Sequence, residues 1–301
     1  MNYYNEIKNK LIDNEVYKKV KDYSKNRNDL STYYEVGKLL IKAQGGEKRA
    51  KYGDNLIKEY SERLFNDTGR KYNITALKRI RQFYLVVEKG VPLAHQLTWS
   101  HYCELLPLKD INEINYYIKT TIEQCLSKRQ LRERIRNKEY QRLDDNTKLK
   151  LINKEETKIN DFVKNPIVIY NKYNLDKERI SEKVLQNLIL EDIPSFLEEL
   201  GTGYSFIKNE YKIKLGERYN YIDLLLFNIE YNCYVVVELK VTELKKEHIG
   251  QIQIYMNYID KHIKTINQDK TIGIIITKRD NHYYIEYSSD KRILTREYIL
   301  N

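Results

Sequence analysis

The stretch that decides the fold reads YIDLLLFN (221–228), a short turn, YVVVELKV (234–241), a polar loop and HIGQIQIYMNYI (248–259). The first two runs are almost wholly apolar and rich in β-formers, the pattern of strands covered on both faces. Each nevertheless carries an acid, Asp223 in one and Glu238 in the other. Taking an unpaired charge out of water costs several kcal/mol even after relaxation, so charges on core strands usually have a job. Side chains alternate faces along a strand, which turns Glu238 and Lys240 the same way. The third run has helical periodicity and sets Gln251 and Tyr255 four residues apart, on one face.

Working outward, strands are expected at Tyr204–Leu215, Tyr219–Asn228, Tyr234–Val241, Thr271–Thr277 and Tyr283–Tyr287, with a helix at about Glu247–His262. This alternation predicts an α/β domain in which helices flank a mixed sheet. Ser181 caps a preceding helix that runs to about Leu200 and stops at Gly201. The charged segment 141–160 reads as a linker, dividing the chain into domains 1–150 and 151–301.

The first half is helical by periodicity. Helices are predicted over 3–24 (Ile7, Leu11, Val16 and Val20 on one face), Leu30–Ala43, Asn55–Phe65 and, after Gly69, from an Asn73 N-cap through Tyr84. The last keeps Leu77, Ile80 and Tyr84 inward and Lys78, Arg79 and Arg81 outward. A helix, a glycine turn and a basic helix suggest a helix-turn-helix or winged-helix arrangement, although short helices joined by glycine are also common in other folds. His101, beside Trp99 and Tyr102, reads as a hydrogen-bonded packing residue. Ser127 opens a helix with five cations in ten positions, among them Arg129, Arg132, Arg134 and Arg136. That run reads either as a solvated face or as a phosphate-backbone contact.

Charge separates the halves. The 301 residues carry a formal charge of +10; residues 1–150 hold 31 Lys and Arg against 20 Asp and Glu, residues 151–301 hold 22 against 23. A lysine-rich genome would raise both halves alike, so the asymmetry points to an anionic partner for the first, with nucleic acid the leading candidate. No run approaches the ~20 apolar residues of a membrane span and the polar start lacks a signal-peptide core, so a soluble cytoplasmic protein is expected. Cys103, Cys125 and Cys233 form neither a disulfide framework nor a zinc site.

Phosphodiester hydrolysis needs a hydroxide-like nucleophile and charge stabilisation at the leaving oxygen, and Mg²⁺ supplies both. Magnesium takes hard oxygen ligands, usually one or two carboxylates completed by water and phosphate. Asp223 and Glu238 on adjacent strands provide that pair, with the Leu239 carbonyl in reach. Lys240 beside them can orient water or stabilise developing charge, its pKa lowered by neighbouring cations.

An aspartate, fourteen residues, then Glu-Leu-Lys is similar to the PD-(D/E)XK nuclease core, with Ile222-Asp223 in place of Pro-Asp. Gln251 and Tyr255 match the Q-x-x-x-Y of its RecB-type members. More narrowly the chain resembles the YhcG family. In the first half the blocks are YYEVGKLL, AKYGDNLIKEYSERL, LKRIRQFY, LTWSHYCELLPLKD and SKRQLRERI. In the second they are FLEELGTGYSFI, YIDLLLFN, CYVVVELKV, HIGQIQIYMNYID and TIGIIITK.

The resemblance implies a winged-helix-like DNA-binding domain joined to a restriction-endonuclease-like domain. It implies a Mg²⁺-dependent DNA endonuclease, with Mn²⁺ able to substitute, acting in restriction, defence against phage or mobile elements, or repair. It makes Asp223 and Glu238 metal carboxylates, Lys240 the motif lysine, Gln251 and Tyr255 the helix motif and Glu182 the first-helix acid, with Glu191 and Glu198 on the same helix as alternatives. By analogy it implies a homo-oligomer and restriction-modification or defence-system partners. The chain departs from the family at Phe206-Ile207-Lys208-Asn209-Glu210, where family members often read phenylalanine-valine-glycine-arginine-glutamine, and at the lone Gly216.

Other readings stay open. Asp223 and Glu238 could form a buried ion network with Lys240 and Arg218. Gln251 and Tyr255 could simply pack on the sheet, and Glu182 could complement its helix dipole. Lys245, Lys246 and His248 could contact phosphate or lie in an exposed loop. The alternative function is a non-catalytic DNA-binding or scaffold subunit.

Overall fold

The apolar runs at 221–228, 234–241 and 271–277 become the three central strands of a six-stranded mixed sheet. The computed structural model describes residues 3–19, 25–46, 50–69, 71–279 and 290–301; the strand expected at Tyr283–Tyr287, and Val20, lie outside them. The chain divides into two compact units, Met1–Tyr140 and Gln141–Asn301.

The first unit holds seven helices among the described residues: α1 (Tyr3–Lys19), α2 (Lys25–Ala43), α3 (Ala50–Thr68), α4 (Ile74–Glu88), α5 (Trp99–Leu105), α6 (Ile111–Glu123) and α7 (Lys128–Arg136). The expected helical character holds. No strand occurs among these residues, so the wing of a winged helix has no counterpart in them. Asn73 caps α4, its side chain accepting the Ala76 N–H at 2.8 Å. Leu77, Ile80, Phe83 and Val86 are its buried stripe, which places Phe83 in the core and leaves Tyr84 half-buried. Helices α2 and α4 cross in backbone contact, since a Cβ on Gly37 would lie 2.5 Å from the Ile80 carbonyl oxygen. Phe83, Trp99 and Tyr102 close the core with ring centroids 4.8 and 5.3 Å from Phe83.

In the second unit, residues 141–160 are not a linker. They form α8 (Asp145–Asn153), tied down where Thr147 donates to the Asp161 carbonyl at 2.9 Å and Lys150 pairs with the Asp161 carboxylate at 2.8 Å. Then come β1 (Ile167–Ile169), α9 (Glu182–Glu191), α10 (Ile193–Leu200), β2 (Tyr204–Leu215), β3 (Arg218–Asn228), β4 (Cys233–Glu243), α11 (Lys246–His262), β5 (Asp269–Arg279) and β6 (Ile293–Leu300). The single helix expected over 181–200 is two, because Asp192 ends α9 and caps α10, accepting the Ser195 N–H.

The strand order is β1-β6-β5-β4-β3-β2. Strands β2, β3 and β4 form an antiparallel meander, and β4, β5, β6 and β1 run parallel. Residues of β4 alternate between two cores: Val235, Val237 and Leu239 pack with α9 and α10, Val236 with α11. Gly273 of β5 lets α11 lie against the sheet, since a Cβ there would meet Met256 Sδ at 2.6 Å and Ile252 Cδ1 at 2.8 Å. Helix α11 thereby packs closely on the sheet face that carries Ile222, Leu225 and Val236.

Candidate active site

The ladder between β3 and β4 ends at Leu224 paired with Val237. Asp223 and Glu238 stand opposite each other one step beyond. Asp223 Oδ2 accepts the Leu239 N–H at 2.8 Å, replacing a backbone partner with a side chain. The neighbouring ladder is also irregular here. Glu210 of β2, opposite Asp223 in the register, has φ of +47°, and the side chains exchange faces at this point. Leu224 packs with α9, whereas Ile222 packs with α11, so Asp223 occupies the switch between them. The strands open where the acids are.

Helix α9 closes one side. Ser181 caps it, accepting the Val184 N–H, and this sets Glu182 in the first turn. Lys240 Nζ lies 3.5 Å from both Glu182 Oε2 and Glu238 Oε2. Of the three candidate helix acids, Glu182 therefore faces the site, while Glu191 is bound at the surface by Lys172 and Tyr173, both at 2.9 Å. Gln186, one turn after Glu182 and buried, donates to the Asp223 carbonyl at 3.0 Å. Lys183 reaches Glu210 at 2.6 Å and Gln186 Oε1 at 3.2 Å. Neither Gln186 nor Lys183 was among the expected site residues. The available signal was Gln186 itself, a polar residue on the helix face that carries Leu185, Leu188 and Ile189.

Helix α11 closes the other side. Gln251 Nε2 donates to the Tyr255 hydroxyl at 2.9 Å, and the buried Tyr255 ring packs among Leu225, Val236 and Ile252. The ring of Tyr255 packs on the sheet, as the packing reading expects, while its hydroxyl and Gln251 form a polar pair. His248 accepts the Lys245 N–H on Nδ1 at 3.1 Å, so it caps the helix instead of lying in an exposed loop.

The electrostatics are those of crowded carboxylates. Burial, and then the charge of Asp223, pushes the Glu238 carboxyl up to about 8. Burial also raises Asp223, against the pull of the Leu239 N–H. Burial opposes the charge on Lys240, but Glu238, Glu182 and Asp223 outweigh it and raise its pKa, opposite to the lowering expected near cations. Glu238 Oε1 is buried without a hydrogen-bond partner. A buried carboxyl oxygen left unpaired beside a second raised carboxyl is a donor set fitted to a hard divalent cation, which would favour the ionised form of both. Among the described residues no three His, Cys, Asp or Glu side chains converge as a ready cage. A bound ion would draw on the two carboxylates, a backbone carbonyl such as that of Leu239, water and phosphate.

The basic residues of the first unit divide into distinct environments. Arg79 and Arg129 are exposed; Lys78 and Arg81 are half-buried, Arg81 donating to Gln44 Oε1 at 3.2 Å. Arg132 forms a two-pronged pair with Glu104 at 2.9 and 2.8 Å, and Arg136 lies 3.6 Å from Glu133. Arg134 is a correction. It is buried against Glu139, which also accepts the Tyr116 hydroxyl, so its charge is spent inside the fold and cannot meet a phosphate. His101 is a cap, accepting the Thr98 N–H at 3.0 Å, as the packing reading expects.

A family model for the YhcG PDDEXK nuclease domain matches residues 160–300, and one for the DUF1016 N-terminal domain matches residues 9–142. The chain is 26% identical over 285 residues to the Escherichia coli (strain K12) protein named "Putative nuclease YhcG", a match covering 82% of this chain and 76% of that one. The chain belongs to the YhcG family. Its PDDEXK nuclease domain contains the acids, lysine and α11 pair described above. Among solved structures, a repair endonuclease from Pyrococcus abyssi is similar over 40% of this chain and 47% of its own, with 18% identity and a TM-score of 0.30. An EndoMS–dsDNA complex is similar over 42% and 46%, with 19% identity and a TM-score of 0.31. Both overlaps span under half of either chain. No helix among the described residues of this YhcG-family chain is long and apolar enough to cross a membrane.

Proposed function

We propose that this chain is a metal-dependent endonuclease that hydrolyses DNA phosphodiester bonds, with Asp223 and Glu238 as the metal carboxylates and Mg²⁺ as the ion. The observation that carries this reading is Glu238, a buried acid with one oxygen unpartnered, opposite a second acid at the opened end of two strands. A bound divalent ion supplies a lowered water pKa and charge stabilisation for the phosphate. The chain's own groups do the positioning. Lys240, held by Glu182 and Glu238, presents a cation to the non-bridging oxygens or to the attacking water. Gln186 fixes the backbone at Asp223, and the Leu239 N–H holds Asp223 Oδ2, so Oδ1 would be the oxygen left to hold an ion. Gln251 and Tyr255 present a polar pair from α11.

The first unit supplies the DNA-docking surface in this reading. Arg79 of α4 and Lys128 and Arg129 of α7 are exposed cations on two of its helices. The biological setting that fits is restriction, defence against mobile elements, or repair. The deciding experiment incubates purified protein with supercoiled, linear, branched and single-stranded DNA in Mg²⁺, Mn²⁺ or EDTA. Cleavage in either metal but not EDTA, lost in Asp223→Ala and Glu238→Ala with DNA affinity retained, is expected. Undiminished metal-dependent cleavage in both variants overturns the assignment.

A further inference from the structure

Strand β2 is the sheet edge, and its hairpin with β3 runs from the middle of β3, where Asp223 lies, out to the turn after Leu215. Tyr211, Ile213, Leu215 and Ile222 of this hairpin pack towards α11. Strand alternation therefore turns Lys212, Lys214, Tyr219 and Tyr221 to the opposite face, where all four are exposed. They are in register: Lys212 pairs with Tyr221 and Lys214 with Tyr219. Lys212 Nζ also lies 3.8 Å from the centroid of the Tyr219 ring, a diagonal cation–aromatic contact.

Lysines on an edge strand need no special account, because they deter edge-to-edge pairing. The tyrosines do. Tyr219 and Tyr221 are 55% and 52% exposed, although burying either ring would be favourable. Residues 205–221 carry four cations against two acids, in a half of the chain that otherwise leans acidic. At roughly 3.4 Å per residue, Tyr221 and Tyr219 lie roughly 7 and 14 Å along the strand from Asp223. Exposed aromatic faces alternating with ammonium groups suit one kind of ligand, a nucleic-acid strand whose bases are free to stack while its phosphates meet lysine. A continuous duplex keeps its base faces covered and offers the rings nothing.

We infer that the solvent face of the β2–β3 hairpin is a stacking platform for an unpaired segment of DNA next to the scissile phosphate. This inference rests on the nuclease reading and narrows its substrate to DNA with single-stranded character at the cut.

The test separates binding from cleavage. In EDTA, a single-stranded oligonucleotide containing 2-aminopurine is titrated with wild-type protein and with Tyr219→Ala/Tyr221→Ala, alongside a blunt duplex of the same sequence. The expected result is fluorescence quenching by the wild type, and a loss of at least roughly tenfold in single-strand affinity in the variant. Duplex affinity should change by less than about twofold. Tyr219→Phe/Tyr221→Phe should restore the quenching, since the ring does the stacking. Unchanged single-strand affinity, or equal loss on both DNAs, overturns the inference. Should the alanine variant melt early, Tyr219→Leu/Tyr221→Leu preserves apolar bulk without a stacking face and must show the same selective loss. A parallel incubation of wild-type protein in Mg²⁺ reads the metal centre alone. No cleavage together with selective loss of binding would refute the nuclease reading and leave the platform standing.

Discussion

Two buried charges, one in each unit, mark different things. Arg134 in α7 is almost fully buried, and Glu139 answers it from the next turn with Tyr116 bonded to the same carboxylate. Glu238 in β4 is buried as deeply, yet one of its oxygens meets no donor and its neighbour across the ladder is another acid. Both positions cost solvation free energy. In the first the fold itself offsets that cost, and the residue is architecture. In the second Lys240 at 3.5 Å offsets the cost only in part and Oε1 is left without a donor, the kind of position a cation from outside would complete. Burial alone does not mark a functional residue; burial without full compensation does.

The sharpest way to break this contrast is at the acids. Asp223→Ala or Glu238→Ala should lower Mg²⁺-dependent cleavage by at least ~10³, since each removes a ligand to an ion that contributes several kcal/mol of transition-state stabilisation. Arg134 should have no comparable catalytic effect and a large structural one. Arg134→Ala leaves Glu139 buried without its counter-charge and should destabilise the protein by roughly 3 to 5 kcal/mol, read by urea denaturation. Arg134→Met with Glu139→Leu removes both charges and should recover most of that loss. If the single and double variants are equally unstable, Arg134 is not held by compensation.

The acids allow the opposite sign. The folded-state pKa of Glu238 is raised from 4.5 to about 8. Its contribution to stability is fully present below about pH 4.5 and is lost as pH rises through about 8, because ionisation then occurs inside the fold. Glu238→Gln should therefore be more stable than wild type at pH 8, by on the order of 3 kcal/mol in EDTA, and nearly equal to it at pH 4.5. Added Mg²⁺ should raise the melting temperature of wild type at pH 8 and leave Glu238→Gln almost unmoved. A Gln variant that is less stable at pH 8 would mean that Glu238 is an ordinary structural ion.

Much of this was legible in the sequence because acids interrupting apolar strands are conspicuous against a period of two. Asp223, Glu238 and Lys240 could be read on that ground, as could the apolar strands β3, β4 and β5. Other features depend on contacts distant in sequence. Strand β1 is three residues long and exists through its pairing with β6 near the chain end. Helix α8 looked like a linker because its charge masks Thr147, whose hydroxyl anchors it to Asp161. The basic run 127–136 was read as one surface, but Leu131 and Arg134 are three residues apart and share the buried face. Helical spacing held that signal, and the density of charge obscured it.

The smallest expected effect concerns the cations that remain once Arg134 is set aside. Arg79 and Arg129 are exposed, on α4 and α7 respectively. If they meet phosphate, each releases counterions, and Arg79→Gln/Arg129→Gln should reduce the slope of log affinity against log salt by roughly 2. The melting temperature should stay within about 1 °C of wild type, as for substitutions that break no buried network. Arg132→Gln should have less effect on the slope than either, because Glu104 already holds its guanidinium through two hydrogen bonds. The ordering of these slopes carries the argument. A charge the protein has already satisfied has less left to give a phosphate, as an acid it has left unsatisfied has more to give a metal. Equal slopes for Arg79, Arg129 and Arg132 would show that the Glu104 pair dissolves on binding, and that surface compensation, unlike the buried kind at Arg134, does not predict which charges serve the ligand.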